Sequence, residues 1–191
     1  MSSQPGRLRI IGGTHRGRRI AIPPGSDARP TGDRVRESLF NILVSGLDDA
    51  PGLADARVLD ACAGSGALGI EALSRGAGQA VFFDTDRAAV RQITDNLAAL
   101  GLTERADVRR ADTTRPPAGA PCDFIFLDPP YNSDTAQVAP GALARAGWVA
   151  PGGLCVIETR RGTGLDFGDD FAPVDARSYG DTSLHFLIRR G

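Results

Sequence analysis

The tetrapeptide Asp128-Pro129-Pro130-Tyr131 directly follows the apolar run Phe124-Ile125-Phe126-Leu127. A continuous apolar run of this kind reads as a buried central strand, and two prolines end its ladder and fix the turn behind it. The Asp128 carboxylate and the Pro129 carbonyl can then both face outward as acceptors, matching the two N–H donors of an aromatic amino group. Such an amine is a poor nucleophile because its lone pair is delocalised into the ring. Holding both N–H groups turns the lone pair toward an electrophilic methyl, and the carboxylate steadies positive charge growing on nitrogen. The ammonium product loses its proton readily, so no strong base is required. Tyr131 offers a stacking face for the base. These four residues are candidate catalytic residues for methylation of an exocyclic nucleobase amine. By itself the string also fits a plain Pro-Pro turn with Asp128 as its cap.

Other acidic residues close strand-like runs in the same way. Asp60 opens Asp60-Ala61-Cys62-Ala63-Gly64-Ser65-Gly66, whose glycines allow a sharp turn and close approach to a ligand. Asp60, Ala61, Gly64, Ser65 and Gly66 are therefore candidates for the cofactor loop, with Asp60 placed for the cationic amino-acid end of S-adenosylmethionine. Asp84, with Thr85 beside it, ends the next run, where a carboxylate can accept both hydroxyls of a ribose. Asp112 and Thr113 follow the third and are placed to meet an adenine. The glycines also match G-x-G-x-x-G, the dinucleotide fingerprint, which alone is a weak signal. Asp60 would repel a pyrophosphate bound at that turn, which favours the methyl donor over NAD.

These residues need a scaffold that gathers strand ends. From Arg57 a strand–helix rhythm begins: strand 57–61, helix 67–75, strand 79–84, helix 87–100, strand 107–110, strand 123–127, helix 135–146 and strand 154–158. Such alternation predicts an α/β fold, an open and mostly parallel sheet with helices on both faces and ligands at the carboxyl ends of its strands. The last segment carries two β-prone runs, 171–178 and 183–189, joined as a hairpin about Gly180-Asp181. Before the core, runs 7–11 and 18–22 around Gly12–Gly17 read as a hairpin broken by Pro23-Pro24-Gly25. A helix capped by Asp33 then places Val35, Leu39, Ile42 and Leu43 on one face and ends near Gly46.

A chain of 191 residues with 41% hydrophobic and 24% charged residues suits one globular domain with a modest appendage. Residues 1–30 form the Arg-rich extension and 31–191 the main domain. Net charge is −1, yet residues 1–36 hold eight arginines against Asp27 and Asp33, and lysine is absent throughout. A basic arm on an acidic body is the footprint of a polyanion binder, making Arg7, Arg9, Arg16, Arg18, Arg19 and Arg29 candidate RNA contacts. A single arginine among them can equally belong to a solvated hairpin face. Three widely spaced cysteines and two histidines read as ordinary side chains rather than a metal site or disulfide framework, so no metal is expected. No stretch is long and apolar enough to span a bilayer, and no secretory signal is read at the polar N-terminus. A reducing, cytoplasmic location is expected, and nothing calls for an obligate protein partner.

The chain resembles the RsmD family of bacterial 16S ribosomal RNA guanine-N2 methyltransferases. The resemblance runs through Arg9-Ile-Ile-Gly-Gly13 with Arg16-Gly-Arg-Arg19, then Arg29-Pro-Thr-Gly-Asp-Arg-Val-Arg-Glu-Ser-Leu-Phe-Asn41. It continues at Val58–Gly69, Glu71–Ala77 and Ile125–Tyr131. The glycine-rich and Asp-Pro-Pro-Tyr motifs are common to many amino-methyltransferases, and the two N-terminal segments are more specific. The resemblance implies a Rossmann-like class I methyltransferase fold, seven-stranded, with a C-terminal antiparallel hairpin and a small N-terminal hairpin. It implies S-adenosylmethionine as cofactor, and as target a guanine of 16S rRNA in the assembled or nearly assembled 30S subunit. It further implies that Thr31, Arg34 and Arg36 help close the cofactor pocket. The chain departs from the family pattern at Cys62, usually an aromatic, at Gly32, usually Thr, and at Asp84, commonly Glu.

Alternative readings keep the pocket and change the target: an adenine-N6 or cytosine-N4 methyltransferase on DNA, or one for another rRNA guanine. A protein glutamine methyltransferase would carry Asn before the Pro-Pro, which counts against it. A binding-only assembly factor conflicts with intact Asp60, Asp84, Asp112 and Asp128. An NAD oxidoreductase predicts hydride transfer and no binding of S-adenosylmethionine.

Overall fold

The computed structural model describes residues 7–23, 30–47, 50–131 and 133–191, apart from the side chains of residues 30 and 31. Arg29 and the turn residues Pro24 and Gly25 lie outside the described residues. The first described element is an antiparallel pair, β1 (Arg7–Arg9) and β2 (Arg19–Ala21), with Leu8 opposite Ile20. Helix α1 (Pro30–Ser45) follows. It starts before Asp33, so that residue lies in the first turn, where its carboxylate pairs with Arg36 at 2.9 Å instead of capping the helix.

The main sheet is built from β3 (Arg57–Ala61), β4 (Gln79–Asp84), β5 (Ala106–Arg110), β6 (Cys122–Leu127), β7 (Val149–Arg160), β8 (Phe171–Tyr179) and β9 (Thr182–Arg189). Helices α2 (Ala67–Ser74), α3 (Arg87–Leu100) and α4 (Thr135–Arg145) connect the parallel strands. The strand order is β5-β4-β3-β6-β7-β9-β8, parallel except for β9, which runs antiparallel to both neighbours. β7 is longer than its apolar stretch suggested, because pairing with both β6 and β9 extends it on each side.

Sequence explains this layout. Val58, Leu59, Phe82, Phe83 and Phe124–Leu127 are essentially inaccessible, as expected for strands covered on both faces. One face packs under α1, α2 and α3 through Phe40, Ile70, Ile93 and Leu97. The other packs under α4, with Leu143 and Trp148 at its centre. Trp148 meets the Phe83 ring edge-on at 4.9 Å, and its indole N–H donates to the Pro117 carbonyl at 2.7 Å. Ile10 and Ile20 of the N-terminal hairpin join the first of these cores, so the hairpin is packed against the body.

The chain winds outward from β3 to β5 and then returns to place β6 on the opposite side of β3. Neighbouring strands that lead their connections in opposite directions leave a crevice at their carboxyl ends. That crevice lies between the residues after β3 and those after β6, the two motifs singled out in the sequence.

Candidate active site

Register brings the acidic residues together. Asp60 of β3 pairs with Phe126 of β6, one residue short of the strand's end, and Asp128 follows at the edge. Gly64 and Gly66 both adopt left-handed backbone, with φ of 55° and 78°, a conformation a side chain would strain. Their turn brings the Gly64 N–H to Asp84 Oδ2 at 2.8 Å, so a carboxylate from β4 holds the loop that starts on β3. The other Asp84 oxygen accepts the Asp86 N–H, and Asp86 caps α3 through the Ala88 N–H.

Asp60 is almost wholly buried, and its Oδ2 accepts the Gly69 N–H at 2.8 Å across the start of α2. Burial, with added repulsion from Asp128 and Asp84, pushes its pKa up to about 8 despite that hydrogen bond. A cation arriving beside it would restore the charged form.

A cavity of about 610 Å³ opens here, within the usual size range of small-molecule sites. It is lined by Asp60, Gly64 and Ser65 from β3 and its loop and by Asp128, Pro130 and Tyr131 from the turn after β6. Arg36 also lines it, from α1. One Arg36 Nη donates to the Arg9 carbonyl at 2.7 Å and to Asp33, whereas its Nε is buried and has no hydrogen-bond partner among the described residues. An unpaired guanidinium donor and a buried carboxyl in one cavity suit a ligand that carries a carboxylate and an ammonium, as the amino-acid end of S-adenosylmethionine does.

The remaining candidates fall into three groups. Ala61 and Gly66 are buried beneath the loop, and Pro129 is buried behind Asp128. Asp84, Thr85, Asp112 and Thr113 do not line the large cavity. The Asp112 carboxylate accepts the Thr114 hydroxyl and N–H at 2.7 and 2.9 Å and pairs with Arg115 at 3.1 Å. Those contacts, the Thr114 hydroxyl first, hold its pKa below the usual carboxylate value. Thr113 is buried and reaches the Cys62 sulfur. Arg34 is exposed, and the side chain of Thr31 lies outside the described residues.

Tyr131 is fixed at its tip: its hydroxyl donates to Glu158 Oε1 at 3.1 Å and lies 3.1 Å from the Thr182 hydroxyl. Its ring lines both the large cavity and a second one of about 250 Å³. Glu158 and Thr182, which line the large cavity as well, were not singled out in the sequence. Glu158 had a signal, because it closes the apolar run Leu154–Ile157 just as Asp128 closes its own. Thr182 had none, since only the antiparallel insertion of β9 beside β7 brings it to the site.

The arginines of the hairpin, Arg7, Arg9, Arg16, Arg18 and Arg19, are all exposed. Arg18 donates to the Ala99 carbonyl at the end of α3, which ties part of its guanidinium to the body.

A doubly wound sheet, a glycine turn held by a carboxylate, and an Asp-Pro-Pro-Tyr edge at the switch point define a class I methyltransferase. Residues 8–188 match the family described as conserved hypothetical protein 95. The chain is 41% identical to ribosomal RNA small subunit methyltransferase D of Escherichia coli over 85% of this chain and 80% of that one. It is 38% identical to the protein of the same name from Haemophilus influenzae, over 82% and 80%. The solved structure of Escherichia coli yhhF superposes with a TM-score of 0.83 at 34% identity, covering 97% of this chain and 99% of that one. The chain belongs to this family, that of ribosomal RNA small subunit methyltransferase D.

Proposed function

We propose that this protein transfers a methyl group from S-adenosylmethionine to the exocyclic N2 of a guanine in 16S rRNA, with the 30S subunit as substrate. The observation that carries the reaction is the single cavity joining Asp60 and the glycine loop to Asp128, Pro130 and Tyr131. Resemblance to the Escherichia coli and Haemophilus influenzae enzymes supports the rRNA target. The sulfonium methyl is the electrophile that the bound cofactor supplies.

The protein's part is binding and orientation. Asp60 and Arg36 receive the two charges of the amino-acid end, and Gly64, Ser65 and Gly66 let the backbone come close. Asp84 and Thr85 serve the ribose, and Asp112 and Thr113 the adenine, from the strand ends beyond the cavity. Thr31 and Arg34 close the pocket from the N-terminal side. Asp128 and the Pro129 carbonyl hold the two amine hydrogens so that the nitrogen lone pair faces the methyl, and Tyr131 stacks on the base. A base drawn from structured RNA must be unstacked, at a cost of a few kcal/mol. Contacts from the arginines of residues 1–30, Arg29 among them, to phosphates help offset it, with residues 31–191 as the catalytic body. Action on ribosomal subunits places the protein in the cytoplasm.

The test is transfer of labelled methyl to 30S subunits from a strain lacking this protein. Label is expected at guanine N2, with Asp128→Ala abolishing transfer while binding of S-adenosylmethionine persists. Label on DNA or protein, or full activity of Asp128→Ala, would overturn the reading.

A further inference from the structure

Glu158 holds the position after the apolar part of β7 that Asp128 holds after β6. Leu127 and Ile157 are paired in parallel register, so the next residues, Asp128 and Glu158, are neighbours across the sheet edge. Adjacent strands set them roughly 5 Å apart. Leu127 and Ile157 both face the α4 side, and alternation turns Asp128 and Glu158 to the opposite face. Both line the large cavity, and Glu158 is half-buried there. The Tyr131 hydroxyl, donated to Glu158 Oε1 at 3.1 Å, steadies the carboxylate against the ring that receives the base.

A second carboxylate beside Asp128 is more than amine capture requires, since Asp128 and the Pro129 carbonyl already match the two amine hydrogens. Its chemistry is selective. An ionised carboxylate accepts hydrogen bonds and cannot donate them. Next to its amino group guanine presents N1–H, a donor on the same edge. Adenine and cytosine place a bare ring nitrogen there, which is an acceptor. A flipped base is read by hydrogen bonds to this edge, so the group facing that position decides which bases fit.

We infer that Glu158 is the specificity-determining residue for guanine, accepting N1–H of the target base while Asp128 and Pro129 hold its amino group. Adenine or cytosine in the same pose sets a lone pair against the carboxylate and leaves both without a partner, the arrangement by which polar sites reject close analogues most strongly. The inference rests on the amino-methylation reading above and adds to it the group that chooses among amino-bearing bases.

The experiment compares 30S subunits reassembled with rRNA that carries guanine or 2-aminopurine at the methylated position. 2-Aminopurine keeps the 2-amino group but has no hydrogen on N1. Transfer is measured as kcat/KM for the natural protein and for Glu158→Gln, and binding of S-adenosylmethionine is titrated separately. The natural protein should prefer guanine by roughly tenfold or more. Glu158→Gln, whose amide can donate to a bare N1, should lose roughly tenfold on guanine and hold or gain on 2-aminopurine, with cofactor affinity unchanged. Equal losses on both bases would reduce Glu158 to a prop for Tyr131 and overturn the inference. So would a natural protein that treats the two bases alike, a result that needs no variant to fold. Guanine labelling with an unaltered preference defeats the Glu158 inference alone, whereas label on another amine defeats the parent reading and this inference with it.

Discussion

Asp60 has lost most of its contact with water yet accepts a hydrogen bond from Gly69, and burial dominates, raising its pKa to about 8 from 3.8. The folded protein therefore binds this proton more tightly than the unfolded chain does. Stability from this group is greatest at low pH and declines as pH rises from about 4 to 8. Denaturant midpoints of the ligand-free protein should fall across that window relative to Asp60→Asn, which keeps an acceptor for Gly69 and cannot ionise. A cationic ligand favours the carboxylate, so binding of S-adenosylmethionine should release a proton and weaken below pH 8, approaching tenfold per unit. Calorimetry in buffers of different ionisation enthalpy would show that proton. Proton-neutral binding with an affinity flat from pH 6 to 8 would show that Asp60 does not meet the cation.

Between elements, Asn96 of α3 joins the hairpin to the glycine loop. Its Oδ1 accepts the Ala21 N–H at 2.9 Å, and its Nδ2 donates to the carbonyls of Ala21 at 2.9 Å and Ser65 at 3.1 Å. Glu71 of α2 adds a second clamp, accepting the N–H groups of Ile11 and Gly12 at 2.8 Å each. Gly13 can sit against α2 only because it lacks a side chain: a Cβ there would fall 1.8 Å from the Ser74 carbonyl oxygen. Asn96→Ala strands three backbone groups at once and should cost about 2 kcal/mol of stability in denaturant unfolding. It should also weaken cofactor binding, because the Ser65 carbonyl loses its anchor. Unchanged affinity in a destabilised variant would confine Asn96 to the role of a structural tie.

At the scale of the whole molecule, charge is divided between a basic arm and an acidic body. Replacing Arg16, Arg18 and Arg19 together with Gln should lower affinity for rRNA and flatten its dependence on salt by about 2 in the log–log slope. Arg18 is expected to give the smallest share, since it also bonds the Ala99 carbonyl. Binding measured between 50 and 200 mM salt checks this (about the range over which phosphate contacts change affinity most visibly), with cofactor affinity as the control. An unaltered slope would remove the arm from the RNA interface. Docking by Glu71 and Asn96 holds the hairpin in one orientation, so its arginines present a fixed surface beside the cavity instead of a loose tail.

Most elements, and one half of the candidate site, were legible in local sequence. Apolar runs ending in acid, glycines after the first of them and two prolines after Leu127 are local signals, and each marks a place where the chain must change from strand to turn. They located Asp60, the glycine loop and Asp128 because in a parallel sheet function gathers at strand ends, whichever order the strands take. Helix α1 was legible from Val35, Leu39 and Leu43, but its true start was not: Asp33 resembled a cap until its pairing with Arg36 showed otherwise. Contacts between residues far apart in sequence came only with the packed fold. Register between β6 and β7 sets Glu158 beside Asp128, the antiparallel return of β9 brings Thr182 to Tyr131, and the packing of α1 and α3 brings Arg36 to the cavity and Asn96 to the glycine loop. No local spacing encodes these meetings, because strand order and docking are chosen by burying the apolar faces of many segments together.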